Sequence, residues 1–265
     1  MTGAEAAGAA GAAGDRPYGW LARIGVIAPS INTCIEPQFR ALAPPGVEFH
    51  VTRLRLRSGD RSELLAMGDA AGAAAELLAD LDPDLVLFQC TAATTIGGPA
   101  YEADLVARVA AAAGRPATST GSAVVAALRT LGAERVALIT PYEPEINEAE
   151  ARFLDGHGLR VVEDRALGLE ASEYTSVPPE RWLDVARGSA AREADAVFLS
   201  CTNVRTLEVI EPLERELGRP VVTSNQAGLW QALRLVGVDA PMPGAGRLLR
   251  LGLPDASPAG RQPAS

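Results

Sequence analysis

The 265-residue chain sets 24 basic residues against 33 acidic ones, a formal charge of −9 that excludes the basic surface a nucleic-acid binder needs. Hydrophobic residues make up 48% and aromatics only 5%, the profile of a globular core built from Ala, Val, Leu and Ile. No run approaches the roughly 20 apolar residues of a membrane span. All 24 basic residues are arginine, so lysine Schiff-base chemistry has no residue to carry it.

The N-terminal MTGAEAAGAAGAAGDRP lacks a basic n-region and a Leu-rich h-region, so residues 1–20 are expected to be a disordered leader. A cytoplasmic location with reduced cysteines follows. RIGVIAP (23–29) and VEFHVTRLRL (47–56) read as strands, and the arginines of RLRLR as the solvated face of an edge strand. LLAMGDAAGAAAELLAD (64–80) is one predicted helix, LVLFQC (85–90) a strand, and AYEADLVARVAAAA (100–113) a helix closed by Gly114. PATST (116–120) is short and extended, and SAVVAALRTLG (122–132) helical. The pattern restarts with strand RVALITP (135–141), helix INEAEARFLDGHG (146–158), strand LRVVEDRAL (159–167) and helix RWLDVARGSAARE (181–193). Strand AVFLSC (196–201), helix TLEVIEPLERELG (206–218), strand PVVTSN (220–225) and helix AGLWQALRLVG (227–237) complete the series. The last residues, 251–265, read as a flexible tail.

Continuous apolar strands separated by helices imply parallel sheets covered on both faces. The restart is a repeat: RIGVIAP matches RVALITP, LVLFQCT matches AVFLSCT, and RPATSTGSAVVAALRTLG matches RPVVTSNQAGLWQALRLVG. The expected fold is α/β, with two similar Rossmann-like half-domains related by a pseudo-two-fold and the active site in the cleft between them. Residues 21–122 plus 226–250 would form the first half and 123–225 the second. Ligand groups gather at the carboxyl edge of parallel strands, and both Cys-Thr pairs end strands there. Cys90 and Cys201 are therefore the candidate catalytic thiols. Helix N-termini beyond them are expected to lower their pKa, whereas Cys34 is read as structural.

Asn32 and Asn147 each follow a restart strand, either as helix caps or as donors to a carboxylate. Tyr142 is a candidate donor to a developing oxyanion, and Thr91, Ser122, Thr202 and Asn203 are further donors near strand or helix ends. No CxxC or HExxH metal spacing and no GxGxxG or GxxxxGK nucleotide loop occurs, so neither a metal nor a cofactor is expected.

Taken together, PSINT, QCTAATT, STGSAVVAALRTLG, ALITPYEPEIN, SCTNV and VTSNQAGLW resemble the aspartate/glutamate racemase superfamily, in its maleate isomerase and arylmalonate decarboxylase branch. The resemblance covers about residues 22–240. It implies a cofactor-independent enzyme, a dimer or dimer of dimers, acting on a small carboxylic or dicarboxylic acid. It implies that Cys90 adds to an alkene carbon while Cys201 handles the proton. Asn32 and Asn203 would bind carboxylate, and Tyr142 would stabilise an enediolate-like intermediate. A racemase using the same two thiols, and a decarboxylase using Cys201 alone, are the alternatives; a carboxylate-binding protein without turnover is a third. Maleate isomerases of this branch carry an Asn that touches substrate in a loop which here reads LGLEASEYTSV. Ser172 or Glu173 is expected at that place, where a Glu would repel a second carboxylate.

Overall fold

The computed structural model describes residues 17–188, 193–242 and 244–253. The expected leader through 16 and most of the tail lie outside them, as do residues 189–192 of the predicted 181–193 helix.

In chain order the elements around the first sheet are β1 (Ala22–Pro29), α1 (Ile35–Leu42), β2 (Val47–Leu54), α2 (Arg61–Asp69), α3 (Ala71–Ala79), β3 (Leu85–Phe88), α4 (Thr91–Thr95), α5 (Gly98–Ala113), β4 (Ala117–Ser119) and the following α6 (Thr120–Thr130). The chain continues with β5 (Arg135–Thr140), α7 (Pro144–Gly156), β6 (Arg160–Ala166), α8 (Pro179–Arg187), β7 (Ala196–Leu199), α9 (Ile210–Leu217), β8 (Val221–Thr223) and α10 (Ser224–Leu235). Each half holds a four-stranded parallel sheet, in the orders β2-β1-β3-β4 and β6-β5-β7-β8. The same strand order in both halves is the repeat seen in the sequence.

The central strands β1, β3, β5 and β7 are buried on both faces, which is why they read as unbroken apolar runs rather than alternating ones. The edge strands β2 and β6 are half-buried and carry the charges. Two helices were not foreseen as elements, α1 and the five-residue α4. The predicted 64–80 helix is two helices that meet at Ala70, with φ −81° and ψ −3°. Nearby, the Gly68 carbonyl accepts from Arg108, and the Tyr101 hydroxyl lies where a side chain at Gly68 would stand. The halves are joined by packing of α6 against α10 and of α5 against α7. Trp230 and Phe153, both fully buried, anchor α10 and α7 in this joint. Among the described residues no helix is long and apolar enough to cross a membrane.

Candidate active site

Both cysteines lie two residues past the carboxyl ends of matching strands, Cys90 after β3 and Cys201 after β7. A fully extended parallel strand delivers the following residue to the sheet edge, so the two halves present their thiols toward a common pocket. That pocket holds about 400 Å³ of atom-free space, mouth included. Its polar wall is Cys90, Thr91, Tyr142, Cys201, Thr202 and Asn203; Ile31, Leu56, Leu64, Ala171 and Tyr174 supply much of the apolar one.

The two loops are cross-linked at Ser224, the first residue of α10. Its hydroxyl oxygen accepts from the Thr91 hydroxyl at 2.8 Å and from the Cys201 backbone N–H at 3.0 Å. Below Cys90, the Gln89 amide donates to Asn225 Oδ1 at 3.0 Å, and Asn225 donates to Gln38 Oε1 and to the Thr202 carbonyl at 2.9 Å each. This buried amide chain binds both Cys-Thr loops to α10. Gly228 permits it, because a Cβ there would stand 2.3 Å from the Gln89 amide oxygen.

Cys90 sits in extended backbone at the N-cap of α4 and receives a hydrogen bond from the Ala93 N–H. Burial nevertheless dominates and pushes its thiol up to about 12, with the Glu150 charge adding to the rise. Cys201 is raised further by burial, against the lowering effect of the Asn203 N–H, 3.3 Å from its sulfur, and of the Tyr142 hydroxyl. The expectation that helix dipoles would depress both thiols is thus corrected. One turn of helix offers one or two N–H groups, and losing water costs a buried thiolate more than they return. Tyr142 is also held neutral by burial, and its ring packs edge-on against Tyr174 at 5.8 Å.

The remaining predicted donors divide. Thr91, Thr202 and Asn203 line the pocket. Asn203 Oδ1 accepts from the Thr33 N–H, and among the described residues its Nδ2 protons have no intramolecular partner. Asn32 stands just behind: its Oδ1 caps α1 through the N–H groups of Cys34 and Ile35, and its Nδ2 donates to Thr202 Oγ1 at 3.1 Å. It therefore orients Thr202 and is not itself part of the pocket lining. Ser122 and Asn147 are not brought to the pocket. Ser122 donates to Glu102 at the joint of α5 and α6, and Asn147 is consumed by Thr140 and Asp164. They are the third and fourth residues of their helices, where side chains point back over the helix start instead of toward the pocket. Ser172 and Glu173 are also away from the pocket. Both are exposed, and Glu173 reaches back to the Glu170 N–H in a capping box, so Ala171 and Tyr174 are what this loop offers. Arg53 is less free than a solvated edge face suggests, donating to the Asn32 carbonyl at 2.7 Å. Among the described residues no group of three or more His, Cys, Asp or Glu is arranged to hold a metal.

Sequence reasoning missed Ser224, Tyr174 and Glu150. The repeat carried a signal for the first, since Ser224 aligns with Thr120, whose hydroxyl serves Gln89 in the first half. No local pattern marks the other two.

The family model described as arylmalonate decarboxylase matches residues 24–249. The chain is 35% identical over 241 residues to the maleate isomerase of Nocardia farcinica, covering 87% of this chain and 96% of that protein. It is 41% identical over 155 residues to the arylmalonate decarboxylase of Bordetella bronchiseptica, covering 57% and 65% respectively. A solved cysteine-to-serine mutant of the Nocardia farcinica maleate cis-trans isomerase, with a covalently bound succinylcysteine intermediate, matches with a TM-score of 0.83 at 32% identity. It covers 86% of this chain and 98% of that one.

Proposed function

The chain belongs to the arylmalonate decarboxylase family, in the branch of the aspartate/glutamate racemase superfamily that also holds the maleate isomerases, and from this we propose a cofactor-independent isomerase of the maleate isomerase type. Its substrate would be a small carboxylic or dicarboxylic acid, handled by Cys90 and Cys201. The observation that carries the reading is the meeting of two thiols, one from each half, on one pocket wall with the Tyr142 hydroxyl on the Cys201 sulfur.

Burial keeps both thiols protonated at rest, so Cys90 passes its proton to a carboxylate of the bound substrate as its sulfur attacks. The C–S bond forms at one alkene carbon, and the displaced electron pair passes to the far carboxylate as an enediolate. Thr202 and the free amide of Asn203 are the donors suited to that charge. Cys201 then gives its proton to the neighbouring carbon and becomes a thiolate, which the Tyr142 hydroxyl and the Asn203 N–H stabilise. With the alkene now a single bond, rotation is free. Cys201 takes its proton back, the C–S bond breaks as the substrate carboxylate returns the other proton to Cys90, and the trans acid leaves. The succinylcysteine captured in the Nocardia farcinica relative supports an adduct of this kind. Homo-oligomeric assembly and a cytoplasmic location belong to the same proposal.

The test is proton NMR of the full chain with maleate and other cis-enedioates. Conversion to the trans acid that disappears in Cys90→Ala is expected; absence of any alkene isomerisation would sink the reading. The apolar wall, with Leu56, Leu64 and Ala171, favours a second reading: decarboxylation of a 2-substituted malonate with Cys201 as sole proton donor. Cys90→Ala would leave that reaction largely intact. Racemisation by the two thiols would instead show as deuterium entering beside a carboxylate in deuterated water.

A further inference from the structure

Glu150, on α7, is 0% exposed, yet among the described residues it makes no ion pair. Its carboxyl meets the Ser200 hydroxyl, 2.8 Å from one oxygen and 2.9 Å from the other. A serine hydroxyl has a single proton. Facing a carboxylate, it must split that proton between two charged oxygens or leave one bare. Facing a neutral acid, it donates to the carbonyl oxygen and accepts from the acid O–H, and both contacts become full hydrogen bonds. Fully buried and with no ion pair among the described residues, the carboxyl is stable as the neutral acid, which uses both Ser200 contacts. Ser200 in turn leads directly into Cys201, and its N–H is fixed to the Ile139 carbonyl at 2.9 Å.

We propose that Glu150 is a positioning residue: as a neutral carboxylic acid it clamps Ser200, fixes the corner that carries Cys201, and keeps negative charge away from a pocket that must hold a thiolate beside a carboxylate. The proposal rests on the isomerase reading for the reaction that it serves, and on full burial without a countercharge for the protonation state.

The surrounding groups agree. From β6 the Asp164 carboxyl faces Glu150, itself held by Asn147. Helix α5 packs against α7, and its buried Glu102 is bonded to Ser119 and Ser122. Cys90 precedes α4 and Tyr142 precedes α7; on α7 itself Glu148 pairs outward with Arg152. Among the described residues none of these inward-facing groups is a cation. Burial, reinforced by Asp164, lifts the Glu150 carboxyl to about 8. Once ionised, it is among the charges that raise the Cys90 thiol and the Tyr142 phenol.

Three variants test this in the full-length protein: Glu150→Gln, which keeps both paired hydrogen bonds without a titratable proton, Glu150→Leu, which keeps neither, and Ser200→Ala. Infrared difference spectroscopy should detect a protonated-carboxyl band that titrates near pH 8 in the wild type and is missing from Glu150→Gln. This readout needs no substrate, so it stands even if the assigned reaction is wrong. Iodoacetamide labelling followed by mass spectrometry across pH should show Cys90 becoming reactive at lower pH in Glu150→Gln than in the wild type. In turnover, Glu150→Leu and Ser200→Ala should lower kcat about 10- to 100-fold with KM little changed. Glu150→Gln should recover most of that loss and remove the decline above pH 8. A carboxylate band at neutral pH, unchanged labelling profiles in Glu150→Gln, or equal losses in Glu150→Gln and Glu150→Leu would each overturn the proposal.

Discussion

Gln89-Cys90-Thr91 and Ser200-Cys201-Thr202 are the same loop built twice, yet they are held in different ways. The first is anchored by amides: Gln89 reaches Asn225, and Cys90 has ordinary extended backbone at φ −151°. The second is anchored by a buried acid through Ser200, and Cys201 takes a positive φ of 97°, rare for any residue but glycine. Duplication supplied two equivalent thiols, and divergence of the residues before them made the two unequal. The strained, doubly hydrogen-bonded sulfur is suited to giving and taking a proton. The relaxed one is suited to attack.

Breaking that asymmetry has its largest expected effect on chemistry. Cys90→Ala should lower isomerisation by at least about 1,000-fold, since removal of a nucleophile leaves little for the remaining groups to do. Cys201→Ser should be nearly as slow but should accumulate a substrate-mass adduct on Cys90, seen by intact mass spectrometry. If instead Cys201 carries the adduct, the roles are reversed. Tyr142→Phe removes the hydroxyl donor from the Cys201 sulfur and should cost about 100- to 1,000-fold in kcat, with a smaller change in KM.

Stability separates the loops more gently. Glu150 holds a proton in the folded protein up to about pH 8 that an unfolded chain releases near 4.5. Its raised pKa therefore makes the protein most stable below the unfolded value, with stability lost as pH climbs through that window. The loss should be on the order of a few kcal/mol. Denaturant melts at pH 5 and pH 9 should show the slope, and Glu150→Gln should flatten it. The smallest effect concerns backbone strain. Glycine relieves a positive φ at 201 and only loosens the chain at 90, so Cys201→Gly should be about 1 kcal/mol less destabilising than Cys90→Gly. Equal losses would mean that the Cys201 conformation carries no strain.

The repeat, the parallel sheets and the placing of both thiols at strand ends were legible in the sequence. They depend on local pattern: apolar runs, Gly and Pro punctuation, and a motif that recurs in order. Tyr142, Thr91, Thr202 and Asn203 were found because they adjoin those strand ends. Ser122 and Asn147 were misjudged for the same reason, being near in sequence but turned into helix packing at Glu102 and Asp164. What only the tertiary structure decided is pairing across long separations. Ser224 joins Thr91 to Cys201 across 133 residues on one side, and Glu150 reaches Ser200 across 50. The ionisation of the thiols belongs to the same class, because burial set it against the pull of the local helix ends. A residue's neighbours along the chain fix its backbone, but its solvation and its charge are fixed by whatever the fold packs around it.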